Sequence, residues 1–241
     1  MHLGGKCAFV TGAGRGIGKG IAVTFAREGC DVAVAARTEI EIAQTAQEVE
    51  SLGRRAVASR CDVADAESVR RAVDEAVGAL GKIDILVNNA GYACFKPFTE
   101  LNASEWQRSL DVNLTGAFNC IKAVLPSMIA NGGGRIINIS SVAGLKPIVD
   151  QSAYCASKFG LNGLTYVLAM ELRRYGIAVH SICPGGVDTQ LSREAMPGRD
   201  KTDWLTPEDI AHAALYLATL SPRAATDEIL VRRFDSVPIG G

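Results

Sequence analysis

Lys6-Cys7-Ala8-Phe9-Val10-Thr11 runs directly into Gly12-Ala13-Gly14-Arg15-Gly16-Ile17-Gly18, and the reading of this junction decides the fold. A short apolar run of strand character gives way to a glycine-rich turn and then to an apolar stretch of helical character. Positions without side chains let the backbone approach a phosphate, and the start of a helix presents free N–H donors to it. The strict G-x-G-x-x-G spacing is absent; the pattern is T-G-x-x-x-G-x-G. Its physics is still that of a turn for a pyrophosphate. Gly12, Arg15, Gly16, Ile17 and Gly18 are therefore candidate cofactor-binding residues.

Beyond the turn, short β-rich runs alternate with helical stretches to the end of the chain. The pattern predicts strands at about 6–11, 31–36, 55–60, 83–88, 134–140, 177–183 and 228–233. Thr38 with Glu41 and Ser104 with Gln107 have the spacing of capping boxes. Thr206-Pro207 places a cap before a proline at the first helical position. Arg135-Ile136-Ile137-Asn138-Ile139-Ser140 is mostly apolar, as expected of a strand covered on both faces. Such alternation implies an α/β fold, a Rossmann-type doubly wound parallel sheet of about seven strands with helices on both faces. No linker or low-complexity segment interrupts it, so residues 1–241 are read as one domain.

Composition excludes several classes of function. The 241 residues are 48% hydrophobic and 21% charged, enough to bury a large core. With 25 basic and 26 acidic residues the net charge is −1, which gives no global attraction to nucleic acid or anionic lipid. No apolar stretch is long enough to span a bilayer, and the N-terminus lacks the h-region of a signal peptide. Seven scattered cysteines without a C-x-x-C pair argue against a disulfide framework or a metal site and fit reduced thiols in a cytoplasmic protein. Cys94 and Cys155 are the two expected nearest the site.

The second predicted strand ends in Val34-Ala35-Ala36-Arg37. A carboxylate here would accept hydrogen bonds from a ribose 2′-hydroxyl and repel a 2′-phosphate. Arg37 stands there instead, with Arg15 in the turn. Two guanidinium groups without a carboxylate favour NADP(H), with NAD(H) still possible.

The chemistry is expected in Tyr154-Cys155-Ala156-Ser157-Lys158, with Ser141 thirteen residues upstream and Asn113 further back. Tyr154 and Lys158, four apart on a helix, share a face. A free phenol ionises near pH ~10, and an adjacent cation favours the phenolate, which predicts a lowered pKa and a group suited to proton transfer at a carbonyl oxygen.

Together these landmarks resemble the short-chain dehydrogenase/reductase family, of the compact single-domain type, from Lys6 to about Leu230. Cys61-Asp62-Val63, Asn88-Asn89-Ala90-Gly91, Ser140-Ser141 and Pro184-Gly185 complete the resemblance. It implies that Asn113, Ser141, Tyr154 and Lys158 are catalytic. Ser141 would bind the reacting oxygen, Tyr154 exchange its proton, Lys158 also hold the nicotinamide ribose, and Asn113 help hold a relay water. Asp62 and Val63 would meet the adenine, while Asn89, Ala90 and Gly91 line the cleft. Pro184, Gly185, Val187 and Thr189 would contact the nicotinamide.

Within that family the chain is most similar to 3-oxoacyl-thioester reductases. Gly132 and Tyr175 stand where those enzymes commonly carry basic residues for an acidic carrier, and Arg173, Arg174 and Lys122 are the available substitutes. The segment 186–204 is expected to cover the substrate, with Leu191, Met196 and Trp204 beside Tyr92, Phe95, Leu145 and Ile148. A small-molecule carbonyl or alcohol of apolar or mixed polarity is expected: a 3-oxoacyl compound or general ketone, a sugar or polyol, or a steroid alcohol. A sugar-nucleotide epimerase or dehydratase would carry an additional substrate domain, and a dinucleotide-sensing regulator would not need the four catalytic positions. His180 and His212 are read as structural. Helices near 104–130 and 152–175 are expected to pair copies into a homodimer or homotetramer, although Ser221–Phe234 departs from the family's usual last strand.

Overall fold

The computed structural model describes residues 1–238. Seven strands, β1 (Cys7–Thr11), β2 (Asp31–Ala36), β3 (Ala56–Arg60), β4 (Ile85–Asn88), β5 (Gly134–Ile139), β6 (Ile177–Pro184) and β7 (Glu228–Val231), form one sheet. Their order is β3-β2-β1-β4-β5-β6-β7, and every pairing is parallel. All seven predicted strands are present. The last is two residues shorter than expected, and Arg232 and Arg233 follow it as loop.

Helices cover both faces. α1 (Gly16–Arg27), α2 (Glu39–Ser51) and α8 (Pro207–Thr219) pack one face through Ile21, Phe25, Val49, Ile210 and Leu217. α3 (Ala66–Leu80), α5 (Gly116–Ala130) and α6 (Ser152–Glu171) pack the other through Val69, Val73, Cys120, Val124 and Met128. Strands buried on both sides need no polar alternation, which is why their sequences read as continuous apolar runs. α4 (Ala103–Leu110) leads through a π-helical turn, Asp111–Thr115, into α5, and α7 (Gln190–Ala195) is a short helix after β6.

The capping expectations divide. Thr206 and Asp209 cap α8 reciprocally, with Pro207 in the first turn as expected. Ser104–Gln107 is corrected: Asn102 and Glu105 form the box that starts α4, two residues earlier. Thr38–Glu41 is also corrected. Thr38 occupies the cap position of α2 without a capping side-chain bond, and the Glu41 side chain turns instead to Arg15, 3.0 Å away.

A buried polar chain ties α6 to the sheet. Asn88 on β4 donates to Asn138 on β5 at 2.8 Å, and Asn138 donates to Thr165 on α6 at 2.8 Å. Such bonds are worth more unbroken than their net energy suggests, because an orphaned partner would remain buried. They fix the axial position of the helix that carries Tyr154 and Lys158. His180, buried between Arg135 and the Thr226 carbonyl, is structural as expected; burial lowers its pKa. His212 is exposed.

Candidate active site

The turn after β1 is built by close approach. Gly12 and Gly16 adopt φ of +62° and +56°, a region that side chains disfavour. A Cβ on Gly18 would lie 2.4 Å from both Asn89 Nδ2 and the Gly12 carbonyl. Asn89 Nδ2 donates to the Thr11 and Gly12 carbonyls, and the Thr11 hydroxyl accepts the backbone N–H groups of Asn89 and Ala90 at 3.0 Å each. Thr11 is thus a junction that motif reading missed; its position before the first glycine was the available signal. Gly18 is buried behind the turn and does not line the cavity, so its lack of a side chain also serves packing.

A cavity of about 840 Å³ opens at the carboxyl ends of the strands. Its walls include Gly12, Arg15, Gly16, Ile17, Arg37, Asp62, Val63, Asn89, Ala90 and Gly91 at one end. Ser141, Tyr154, Lys158, Pro184, Gly185, Val187 and Thr189 line the other. From the substrate segment and its neighbours, Leu191, Met196, Trp204, Phe95 and Ile148 line it as expected. Tyr92 and Leu145 do not; the Tyr92 ring lies under the Arg108 guanidinium, 4.6 Å away. Cys94 and Cys155 stay outside the walls, each beside a residue that belongs to them. Thr189 also caps α7, accepting the Ser192 N–H at 3.2 Å, which leaves its O–H proton available.

Glu41 requires the main correction at the nucleotide end. No carboxylate was expected there, yet Glu41 lines the cavity and pairs with Arg15. The absent side chain of Gly14 permits this: a Cβ there would lie 2.8 Å from Glu41 Cβ. Arg15 is therefore already shared with a carboxylate, whereas Arg37 makes no ion pair among the described residues.

At the other end, Phe95 packs edge-on against the Tyr154 ring, centroids 5.4 Å apart. The buried Lys158 ammonium donates to the Ile139 carbonyl at 2.8 Å and stands 5.7 Å from the Tyr154 ring centroid. Asn113 is buried and outside the cavity. Its amide donates to the Tyr92 carbonyl and the Ser157 hydroxyl and accepts the Tyr92 N–H. Ser157 in turn donates to the Tyr154 carbonyl at 2.7 Å. The Asn113 side chain thus braces the tyrosine helix.

The expected lowering of the phenol pKa is also corrected. Burial pushes Tyr154 up to about 12, with the Ser141 hydroxyl acting in the opposite direction. Burial pushes Lys158 down to about 8. Around neutral pH the phenol keeps its proton, and the lysine is mostly cationic but close to its titration.

A family model described as short chain dehydrogenase matches residues 6–200. The chain belongs to the short-chain dehydrogenase family. A 3-oxoacyl-[acyl-carrier-protein] reductase of Staphylococcus aureus is 36% identical over 235 residues, covering 93% of this chain and 95% of the relative. An alcohol dehydrogenase from the archaeon Thermococcus sibiricus, complexed with 5-hydroxy-NADP, superposes with TM-score 0.89 at 30% identity, covering 97% of this chain and 98% of its own. Carveol dehydrogenase from Mycobacterium avium, in complex with NAD, gives TM-score 0.89 at 32% identity, covering 96% and 97%. As a short-chain dehydrogenase/reductase the chain is an oxidoreductase acting on alcohol and carbonyl groups, and it uses a nicotinamide dinucleotide. The residues present fit that cofactor, since the turn is shaped by glycines that a Cβ would close, and the cavity runs unbroken from it to Tyr154.

The Lys158 environment has a measurable consequence. Its folded pKa, about 8, lies below its ordinary 10.5. The unfolded chain therefore holds more protons between these values, and the contribution to stability rises with pH across that window. The total is on the order of 3 kcal/mol. Denaturant unfolding of the parent and of Lys158→Met from pH 7 to 10.5 should show the parent gaining on the variant as pH rises. A gap that is flat with pH contradicts the burial of a charged lysine.

Proposed function

We propose that the protein is an NADP(H)-dependent carbonyl reductase that interconverts a ketone and a secondary alcohol, with Tyr154 as the proton-transfer group. The observation that carries this reading is the convergence of Tyr154, Ser141 and Lys158 on one cavity with the glycine turn. When bound, the dinucleotide supplies or accepts the hydride. Ser141 holds the substrate oxygen, and the Tyr154 phenol gives that oxygen its proton during reduction. A phenol that stays protonated through neutral pH suits this acid role, and in oxidation the same oxygen acts as base. Lys158, close to its own titration, restores the proton. Asn113 and Ser157 hold the helix so that the phenol stays aligned.

Tyr154→Phe should lower kcat by a factor on the order of 10³ while leaving dinucleotide binding nearly intact. Substantial residual turnover in steady-state assays would remove Tyr154 from the mechanism.

Cofactor preference rests on Arg37, the unpaired guanidinium at the end of β2, assisted by Arg15 when it can leave Glu41. The parent should show a higher kcat/KM with NADPH than with NADH. Arg37→Leu should reduce that ratio by about tenfold or more, the value of one charged hydrogen-bonded pair. A parent that prefers NADH overturns the assignment.

The protein is further proposed to pair with a second copy through α5 and α6. Phe118, Phe159, Tyr166, Val167 and Met170 are 49%, 46%, 41%, 46% and 69% exposed, more apolar surface than isolated helices usually leave to water. Light scattering on a sizing column should give at least twice the monomer mass, and Phe159→Asp should reduce it. A monomeric parent refutes this pairing.

A further inference from the structure

Charge is unevenly distributed around the cavity. Its only carboxylate walls among the described residues are Glu41 and Asp62, at the start of α2 and just after β3. Both belong to the half of the sheet that ends in β2 and β3. The opposite half contributes Lys146 from the loop after β5, Arg199 from the segment after β6, and Arg232 and Arg233 just past β7. Five strand spacings separate β2 from β7, about 24 Å. That exceeds the distance over which exposed charges act at physiological salt. Glu41 and Asp62 therefore do not compensate Arg232 and Arg233.

Most of these cations are not engaged by acids. Lys146 has no side-chain hydrogen bond or ion pair among the described residues. Arg199 lies 5.7 Å from the Trp204 ring centroid and is likewise without a carboxylate partner. Arg232 Nη1 donates to the carbonyls of Arg233, Phe234 and Ser236, which fixes the guanidinium while leaving its other nitrogens without partners among the described residues. Arg233 has Asp235 at 3.6 Å, a long contact. The backbone of Arg232 is also close to the site: its Cα would lie 3.5 Å from a Cβ on Gly185, and Gly185 N–H donates to the Val231 carbonyl. In a chain of net charge −1, this is a local concentration of positive charge in a cleft, the arrangement that attracts an anionic ligand.

Resting on the carbonyl reductase reading, we infer that the substrate is a keto acid (or the matching hydroxy acid). Its carboxylate is held by the cluster of Lys146, Arg199, Arg232 and Arg233. Tyr154 enters the cavity from α6, while the arginine pair enters it from the segment just past β7. The phenol and the basic side chains thus belong to different walls, so the carbonyl and carboxylate are separated by several carbons. The walls between them, Ile148, Leu191, Met196 and Trp204, suit an apolar chain. The carboxylate takes no part in bond making; it orients the substrate and lowers KM.

The test measures NADPH oxidation with straight-chain keto acids from 4-oxopentanoate to 7-oxooctanoate, each against its own methyl ester. At one or more chain lengths the acid should exceed its ester in kcat/KM by about tenfold, and molar sodium chloride should erode that advantage. In Arg199→Gln/Arg233→Gln, KM for the acid should rise by at least about fivefold, and by more than KM for the ester. The salt effect is read on the parent, so the inference stays testable if the variant folds poorly. Esters that equal or surpass their acids at every length overturn the inference and leave the reductase reading standing. Failure of acids and esters alike, in protein that binds NADPH, counts against both.

Discussion

The site depends on how closely β1 and β4 can be joined where the strand order reverses. One Thr11 hydroxyl takes two backbone N–H groups from the start of the β4 loop, and Asn89 returns its amide to the carbonyls of the glycine turn. That stitch draws the turn against the β4 loop so tightly that Gly18 has no space for a methyl group. Crevices at such reversals are where open parallel sheets bind ligands, because the flanking crossovers leave on opposite faces. The cavity, its glycine floor and the direction of α1 all follow from this contact.

A second constraint sets the position of the phenol proposed to react. α6 carries Tyr154 and Lys158 on one face, but helix periodicity alone leaves that face free to slide or rotate over the sheet. Asn138 and Thr165 fix the helix along its axis, while Asn113 and Ser157 hold its first turn. Polar groups bonded to one another within the core favour one arrangement over its neighbours, because any shift orphans several of them together. The lysine and tyrosine then share a desolvated pocket that moves their pKa values in opposite directions, the phenol up and the ammonium down. At neutral pH the phenol keeps its proton while the lysine lies near its titration.

Much of this was legible in the chain. Seven strands could be located because burial on both faces makes each a short apolar run, and the family motifs fall at strand ends where their order is informative. Errors arose where two side chains competed for one partner. Glu41 has the spacing of a capping residue, yet Arg15 offers a full charge where the cap offers one backbone N–H, and Gly14 leaves room for the approach. Asn102 took the cap from Ser104 because its Glu105 completes a reciprocal pair. Asn113 carries the expected residue type, and its amide also braces Tyr92 and Ser157, which its position in the sequence does not show.

Local sequence by itself determined the alternation of elements, the doubly wound sheet, the glycine turn and the residue types proposed to hold a dinucleotide and move a proton. Each depends on periodicity or on backbone freedom at neighbouring positions, which a linear pattern records. Tertiary structure alone decided which charges meet. The pairing of Glu41 with Arg15, the desolvation of Lys158 and the meeting of Lys146, Arg199, Arg232 and Arg233 on the walls of one cavity join residues far apart in the chain. Electrostatic energy depends on separation and burial in space, and neither is written in the spacing of residues along the sequence.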